Sequence, residues 1–341
     1  MSELFLDLEE ETVKAEITRR KARRVLVQLP EGLRDIAYRI RDLIEGMGAE
    51  VFISADPCYG ACDPYPPEVE SLKVDLMIHY GHTRLFQDKN VPTIYIEAKS
   101  KRSIKEAVKA ALPLLEEFSS VGLVTTAQHW SKIEEAKEVL TSSGKEVLIG
   151  DVGGFLHPGQ IIGCDCSNAK RISDQVEAFL VVAGGRFHAL GVGLTTMKPT
   201  FVADPFERRA YSIEEDIKRM IKKRWACISA MEKAEKIGVL VGLRSGQRRL
   251  DLALRIKEKL ERKGKRVILL ATREISPMTL DQFVEAEAFV NTACPRVSLD
   301  DISRFRKPLL TVNEALVVLG EKSWEELCEE GWFEDLTWRR P

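Results

Sequence analysis

The sequence predicts an α/β fold of three similar parallel-sheet domains, on three observations. Short apolar runs that read as buried strands stop at polar loops in three places: "RRVLVQLPEGL" from Arg23, "VGLVTTAQHW" from Val121 and "KIGVLVGLRSGQ" from Lys236. After each, a helical stretch ends at a glycine that re-enters a strand in nearly the same words: "GAEVFI" from Gly48, "GKEVLI" from Gly144 and "GKRVIL" from Gly264. A further apolar strand then ends in another polar loop, and a proline introduces a last strand. Repetition in register is the mark of one unit used three times.

In the first repeat, Leu33, Ile36, Ala37, Ile40, Leu43, Ile44 and Met47 lie at helical spacing on one face. Gly48 supplies the left-handed residue that terminates the helix. The strands "VDLMIHYGH", up to His82, and "VPTIYIEA" complete the unit. Weaker helical patterns follow Gln128 and Gln247 in the other two repeats. Their later strands are "EAFLVVAGGRFH", up to His188, with "KPTFVADP", and "AEAFVNTACPR", up to Arg296, with "KPLLTVNEA". Strand, helix, strand, connection, strand is the order of a parallel sheet with crossover helices, whose ligands bind beyond the carboxyl ends of the strands. The expected domains are 1–105, 106–214 and 215–341, arranged with pseudo-threefold symmetry so that their strand-end loops converge.

The 341 residues suffice for two or three domains, and 44% are apolar. A net charge of −2 gives no whole-molecule attraction to nucleic acid or membrane, and Lys222-Lys223-Arg224 reads as a solvated helix face. The opening "MSELFLDLEEETVKAEITRRKARR" lacks the apolar core of a signal peptide, and no apolar run approaches the roughly 20 residues of a membrane span, so the cytoplasm is the expected location. Seven cysteines without an export signal argue against a disulfide framework and leave thiols for metal or catalysis.

"DPCYGACDP" places Cys58 and Cys62 four residues apart on a glycine-containing loop, with no third cysteine nearby. Any further ligands must come from far along the chain. Cys164, in "PGQIIGCDCSNAK", lies in the matching region of repeat two, and Cys294, in "NTACPRVSLDD", lies after a later strand of repeat three. One thiolate from each domain gives three ligands and a free fourth position, the arrangement that lets a metal centre bind substrate. Cys62 and Cys164 each follow a small residue, Gly60-Ala61 and Gly163, where backbone can approach a bulky group; Cys58 and Cys166 remain alternative ligands, a redox pair or bystanders. Cys227 and Cys328 read as small hydrophobes on helices. His79, His82, His129 and His188 gather at the same predicted edge, which marks a polar ligand pocket.

Taken in order, "QLPEGL", "YGACD", "HYGH", "TTAQH", "PGQIIGC", "GGRFHALG" and "ACPRVSLDD" extend over nearly the whole chain. With them the sequence resembles the archaeal diphthamide synthase subunits, 3-amino-3-carboxypropyl transferases of the first step of diphthamide biosynthesis. The resemblance implies a homodimer of three-domain subunits with a 4Fe-4S cluster on Cys62, Cys164 and Cys294, reduced by an electron donor. It also implies that S-adenosylmethionine binds the unique iron and is cleaved between sulfur and the methionine γ-carbon. The resulting aminocarboxypropyl radical then modifies an imidazole carbon of one histidine on translation elongation factor 2. Arg296 becomes a partner for the methionine carboxylate, with Gln28, Gln128, Gln247 and His188 as hydrogen-bonding groups. Gly60, His79, His82, His129 and Phe187 complete the expected cofactor-binding set. Two other readings stand beside this one: a Lewis-acid iron–sulfur enzyme of the quinolinate synthase kind, and a zinc-stapled binding scaffold.

Overall fold

The computed structural model describes residues 5–63, 66, 68–85 and 91–333. Three sheets follow one another along the chain. The first contains β1 (Arg24–Gln28), β2 (Glu50–Ile53), β3 (Leu76–Tyr80) and β4 (Thr93–Ile96), in the order β2-β1-β3-β4 and parallel throughout. The second uses β5 (Ser120–Thr125), β6 (Glu146–Leu148), β7 (Ala178–Val182) and β8 (Thr200–Asp204) in the same order, and adds an antiparallel edge, β9 (Arg209–Ser212). The third repeats the order with β10 (Lys236–Gly242), β11 (Arg266–Thr272), β12 (Ala288–Asn291) and β13 (Leu309–Leu310). The three sheets thus share one topology; β9 is the addition that the repeat pattern did not announce.

The first helical face forms as a 3-10 turn, Glu31–Ile36, running into an α-helix, Ala37–Glu45. Leu33, Ile36, Ile40 and Ile44 are buried against Val25 and Val27 of β1, while Met47 lies beyond the helix and is exposed. Burying such a side chain contributes about 1.5–3 kcal/mol. The glycines that close the three helices, Gly48, Gly144 and Gly264, have φ of 80°, 83° and 81°, and a Cβ on any of them would meet nothing within 4 Å. Backbone conformation rather than space therefore demands glycine there.

Two expectations are corrected. "LLTVNEA" is a strand only at Leu309–Leu310, because Thr311 then caps a helix, Val312–Val318. The Thr311 hydroxyl accepts from the Glu314 amide, and the Glu314 carboxylate accepts from the Thr311 amide. Arg224 is not on a solvated face. Lys222 and Lys223 are exposed, but Arg224 falls on the stripe of the helix Glu214–Lys233 that also carries Ile217, Ile228 and Met231, and it is fully buried. Its guanidinium donates to both carboxylate oxygens of Glu314, at 2.6 and 2.5 Å, and to the carbonyls of Ser298 and Leu309. The Trp332 indole donates to the same carboxylate at 3.1 Å, so this buried pair has its hydrogen bonds made.

One apolar core runs from the second sheet to the third, joining Val192 and Leu194 of the helix Phe187–Thr196 to Ile217, Ile228 and Met231 and on to Val239 and Val241 of β10. The first sheet has its own core, and a small cluster of Ala61, Leu85 and Leu156 links its loops to the second unit.

Replacing Gly264 by alanine forces a left-handed backbone on a residue with a Cβ and should lower stability by about 1–2 kcal/mol. A urea midpoint unchanged from the parent protein contradicts that account.

Candidate metal centre

Parallel strands deliver their carboxyl ends to one side of each sheet, and the cysteine loops start there. Cys62 lies beyond β2, Cys164 beyond β6 and Cys294 beyond β12. The equivalents of β2 and β12 flank the central strand of their sheets on either side, so a ligand after the second strand and one after the third both emerge beside that strand.

The three thiols are neighbours. Burial pushes Cys294 up to about 12, and Cys164 and Cys62, from the other two units, push it further in the same direction; the amides of Val297 and Arg296 point at its sulfur and partly offset them. The Gln247 side-chain amide donates to Cys62 Sγ at 3.2 Å. A buried sulfur whose ionisation two neighbouring thiols oppose, approached by amide donors, fits a group that brings positive charge, since a coordinated thiol is deprotonated outright.

Hydrogen bonds between units hold these loops. Arg244, beyond β10, donates to Asp63 Oδ2 at 2.5 Å and to the Pro57 carbonyl at 3.1 Å, gripping both ends of the Cys58–Cys62 loop, and its other arm donates to Glu274. The Gly246 amide donates to the Cys62 carbonyl at 2.7 Å. Tyr59 completes the clasp by donating to Glu274 at 2.9 Å. Between the first and second units, Gln128 donates to the carbonyls of Gly81 and Glu97, and Gln160 to Thr83. Between the second and third, Arg296 donates to the Phe187 carbonyl at 2.6 Å and lies 3.8 Å over the Phe187 ring. Phe187 in turn covers Gly163: a Cβ there would lie 2.6 Å from the ring, so glycine permits the contact next to Cys164.

The four histidines assemble as neutral rings. Burial, with His82 beside it, holds His79 well below the usual histidine range; burial lowers His82 to about 4. Burial and then Lys132 lower His129 to about 4. His188 falls to about 3, from burial first and then from Arg296, His82 and His129. The last set ties a residue of the second unit to groups of all three.

The predicted residues thus divide by what they touch. Cys62, Cys164 and Cys294 come together; Gly60 packs against Cys62. Gln28 donates to the Asp63 carbonyl at 3.2 Å and bonds His79, so the three equivalent glutamines all brace loops. Cys166 is buried in the core shared by the second and third sheets, and Cys58 lies against His79 and His82. Arg244, Asp63 and Glu274 are the braces that the pattern of strands did not reveal. Asp63 ends the "YGACD" string, but an arginine in "GLRSGQ" carries no mark of a partner 181 residues away. A separate cavity of about 1280 Å³, bounded by Phe5–Thr12, Arg39, Arg102 and Arg208 among others, includes none of the cysteines or histidines.

Stability of the metal-free protein should fall with acidification. His82, His129 and His188 have depressed values in the folded chain, so between the ordinary value near 6.5 and about 4 the unfolded chain binds more protons. Their contribution is complete above the unfolded value and is lost as pH drops through the folded ones. Imidazole NMR signals of these rings should keep neutral-ring shifts at pH 5; charged-ring shifts there contradict the burial argument.

The family described as "Putative diphthamide synthesis protein" matches residues 29–328. A Pyrococcus horikoshii protein named 2-(3-amino-3-carboxypropyl)histidine synthase is 38% identical over 316 residues, which cover 92% of this chain and 91% of that one. The mouse subunit 1 of the enzyme of that name is 31% identical over 319 residues, covering 91% of this chain and 71% of that one. Among solved structures, Dph2 from Pyrococcus horikoshii with a 4Fe-4S cluster matches with a TM-score of 0.87 at 36% identity, over 96% of this chain and 94% of that one.

Proposed function

The chain belongs to the diphthamide synthesis protein family, and on that premise we propose that it transfers the 3-amino-3-carboxypropyl group of S-adenosylmethionine to a histidine imidazole carbon of translation elongation factor 2, the first step of diphthamide biosynthesis. The observation that carries this reading is the meeting of Cys62, Cys164 and Cys294, one from each sheet. These residues would hold a 4Fe-4S cluster, as in the Dph2 of similar structure. When bound, the cluster supplies the electron that breaks the bond between sulfur and the methionine γ-carbon. The relatives are named 2-(3-amino-3-carboxypropyl)histidine synthase, which favours this reading over the Lewis-acid and zinc-scaffold ones.

The chain's own residues bind and orient. Arg296 is 5% exposed, and its guanidinium is fixed by the Phe187 carbonyl, by the Phe187 ring and by Asp300, while Nη1 makes no hydrogen bond. That atom is the proposed donor to the methionine carboxylate. His129 Nδ1 is likewise buried without a partner and is the proposed donor or acceptor for a polar group of the substrate. Neutral histidines suit this task, because a sulfonium substrate approaching charged imidazolium rings would be repelled. Gln28, Gly60, His79, His82, Gln128, Phe187, His188 and Gln247 shape the pocket around it, the glutamines through the loops they brace.

Domains at 1–105, 106–214 and 215–341 fit the three sheets. A homodimer is proposed through the outer edge of β11, which pairs only with β10 among the described residues and is accompanied by exposed Leu250, Leu254, Ile268 and Met278. No helix among the described residues is long and apolar enough to cross a membrane. A cytoplasmic location agrees with an elongation-factor substrate.

Alanine at Cys62, Cys164 or Cys294 should each impair cluster retention, read as lost visible absorption after anaerobic reconstitution, and activity with it; alanine at Cys227 or Cys328 should do neither. An active Cys294→Ala protein with full absorption overturns the three-cysteine assignment. Under reductant, the reconstituted protein should convert S-adenosylmethionine to methylthioadenosine with little 5′-deoxyadenosine, and elongation factor 2 should gain mass at one histidine. Predominant 5′-deoxyadenosine, or modification without reductant, overturns the proposed bond cleavage.

A further inference from the structure

Cys58 is the member of the opening cysteine pair that does not join the three-sulfur group. Its sulfur and one nitrogen each of His79 and His82 all lie within 4.8 Å of one another. We propose that these three side chains form a second site, for a single borderline divalent transition-metal ion of the zinc or ferrous class, distinct from the three cysteines.

The donor atoms lie near the spacing such an ion needs, and modest shifts would complete it. With metal–nitrogen bonds of about 2.0 Å and a metal–sulfur bond of about 2.3 Å, tetrahedral ligand atoms lie roughly 3.3–3.5 Å apart. His79 Nε2 and His82 Nδ1 are 3.0 Å apart, so a small opening of the pair admits the ion. The set is also oriented from behind. Gln28 Nε2 donates to the Asp63 carbonyl, which turns Oε1 toward His79 Nδ1 at 2.8 Å. That oxygen can only accept, so the His79 proton sits on Nδ1 and the Nε2 lone pair faces His82. An imidazole aimed by an acceptor behind it is the usual outer shell of a metal-bound histidine. The His82 ring is also hydrogen-bonded to the Tyr80 backbone, which fixes its position.

The supports are rigid. Gln28 ends β1, and His79 lies within β3, a strand paired on both sides. Cys58 belongs to the loop that Arg244 clasps at Pro57 and Asp63. Two nitrogens and one sulfur favour zinc-class ions over magnesium or calcium, which take oxygen. Bound there, the ion would fasten the Cys62 loop to the end of β3.

Cobalt(II) is the probe, since a thiolate ligand gives it intense near-ultraviolet absorption. The full chain carrying Cys62→Ser, Cys164→Ser and Cys294→Ser, freed of metal, should bind one equivalent with that absorption. Adding Cys58→Ser should abolish the band, and Gln28→Leu should weaken binding about 10–100-fold. If the triple variant does not fold, the metal-free wild-type chain and its Cys58→Ser variant are compared, and the variant should bind one equivalent less. No thiolate band in a folded triple variant, a band that survives Cys58→Ser, or equal stoichiometry in the second comparison overturns the proposal. Each readout leaves the three-cysteine assignment standing, because that assignment predicts nothing for Cys58.

Discussion

Every strand of a parallel sheet ends on the same side, and the arrangement of this protein depends on that constraint. A crossover helix must return the chain to the starting edge before the next strand, so the loops that follow the strands share one rim. Three copies of the order 2-1-3-4 give three such rims. A centre that needs ligands from distant parts of the chain can then be assembled from loops alone, while the helices and strands behind them remain ordinary packing.

The loops must still be held, and the means differ from one junction to another. The second and third units share an apolar core through the helices Phe187–Thr196 and Glu214–Lys233. The first unit is tied to the others chiefly by directed hydrogen bonds: Arg244 to Asp63 and Pro57, Gly246 to Cys62, Gln128 to Gly81 and Glu97. Such bonds depend steeply on distance and angle, so they fix the Cys62 loop more narrowly than non-directional apolar contact does. That suits a loop whose sulfur must meet two others.

The electrostatic character of the centre follows from the same burial. Burial pushes the buried imidazoles toward their neutral forms and raises the Cys294 thiol, while carboxylates and carbonyls bind the guanidiniums of Arg296 and Arg244. The result is a lining of buried, mostly uncharged rings with two guanidiniums held at fixed points.

The repeat was legible in the sequence because burial imposes local periodicity. A buried strand needs a short apolar run, its helix an apolar stripe, and the helix end a left-handed residue, as Gly48, Gly144 and Gly264 show. The cysteines were legible as strand-end residues for the same reason. What lies between them was not. The burial of Arg224 on Glu314 and the reach of Arg244 to Asp63 both join residues far apart along the chain, and no local pattern carries a partner's address. Even the last strand of the third repeat yielded, after Leu310, to the cap that Thr311 and Glu314 form. By itself the sequence determined the elements, their order and the edge where chemistry gathers, since these follow from local spacing. Only the tertiary structure decided which rings and guanidiniums face those thiols, because direction and distance across units arise when the three sheets pack.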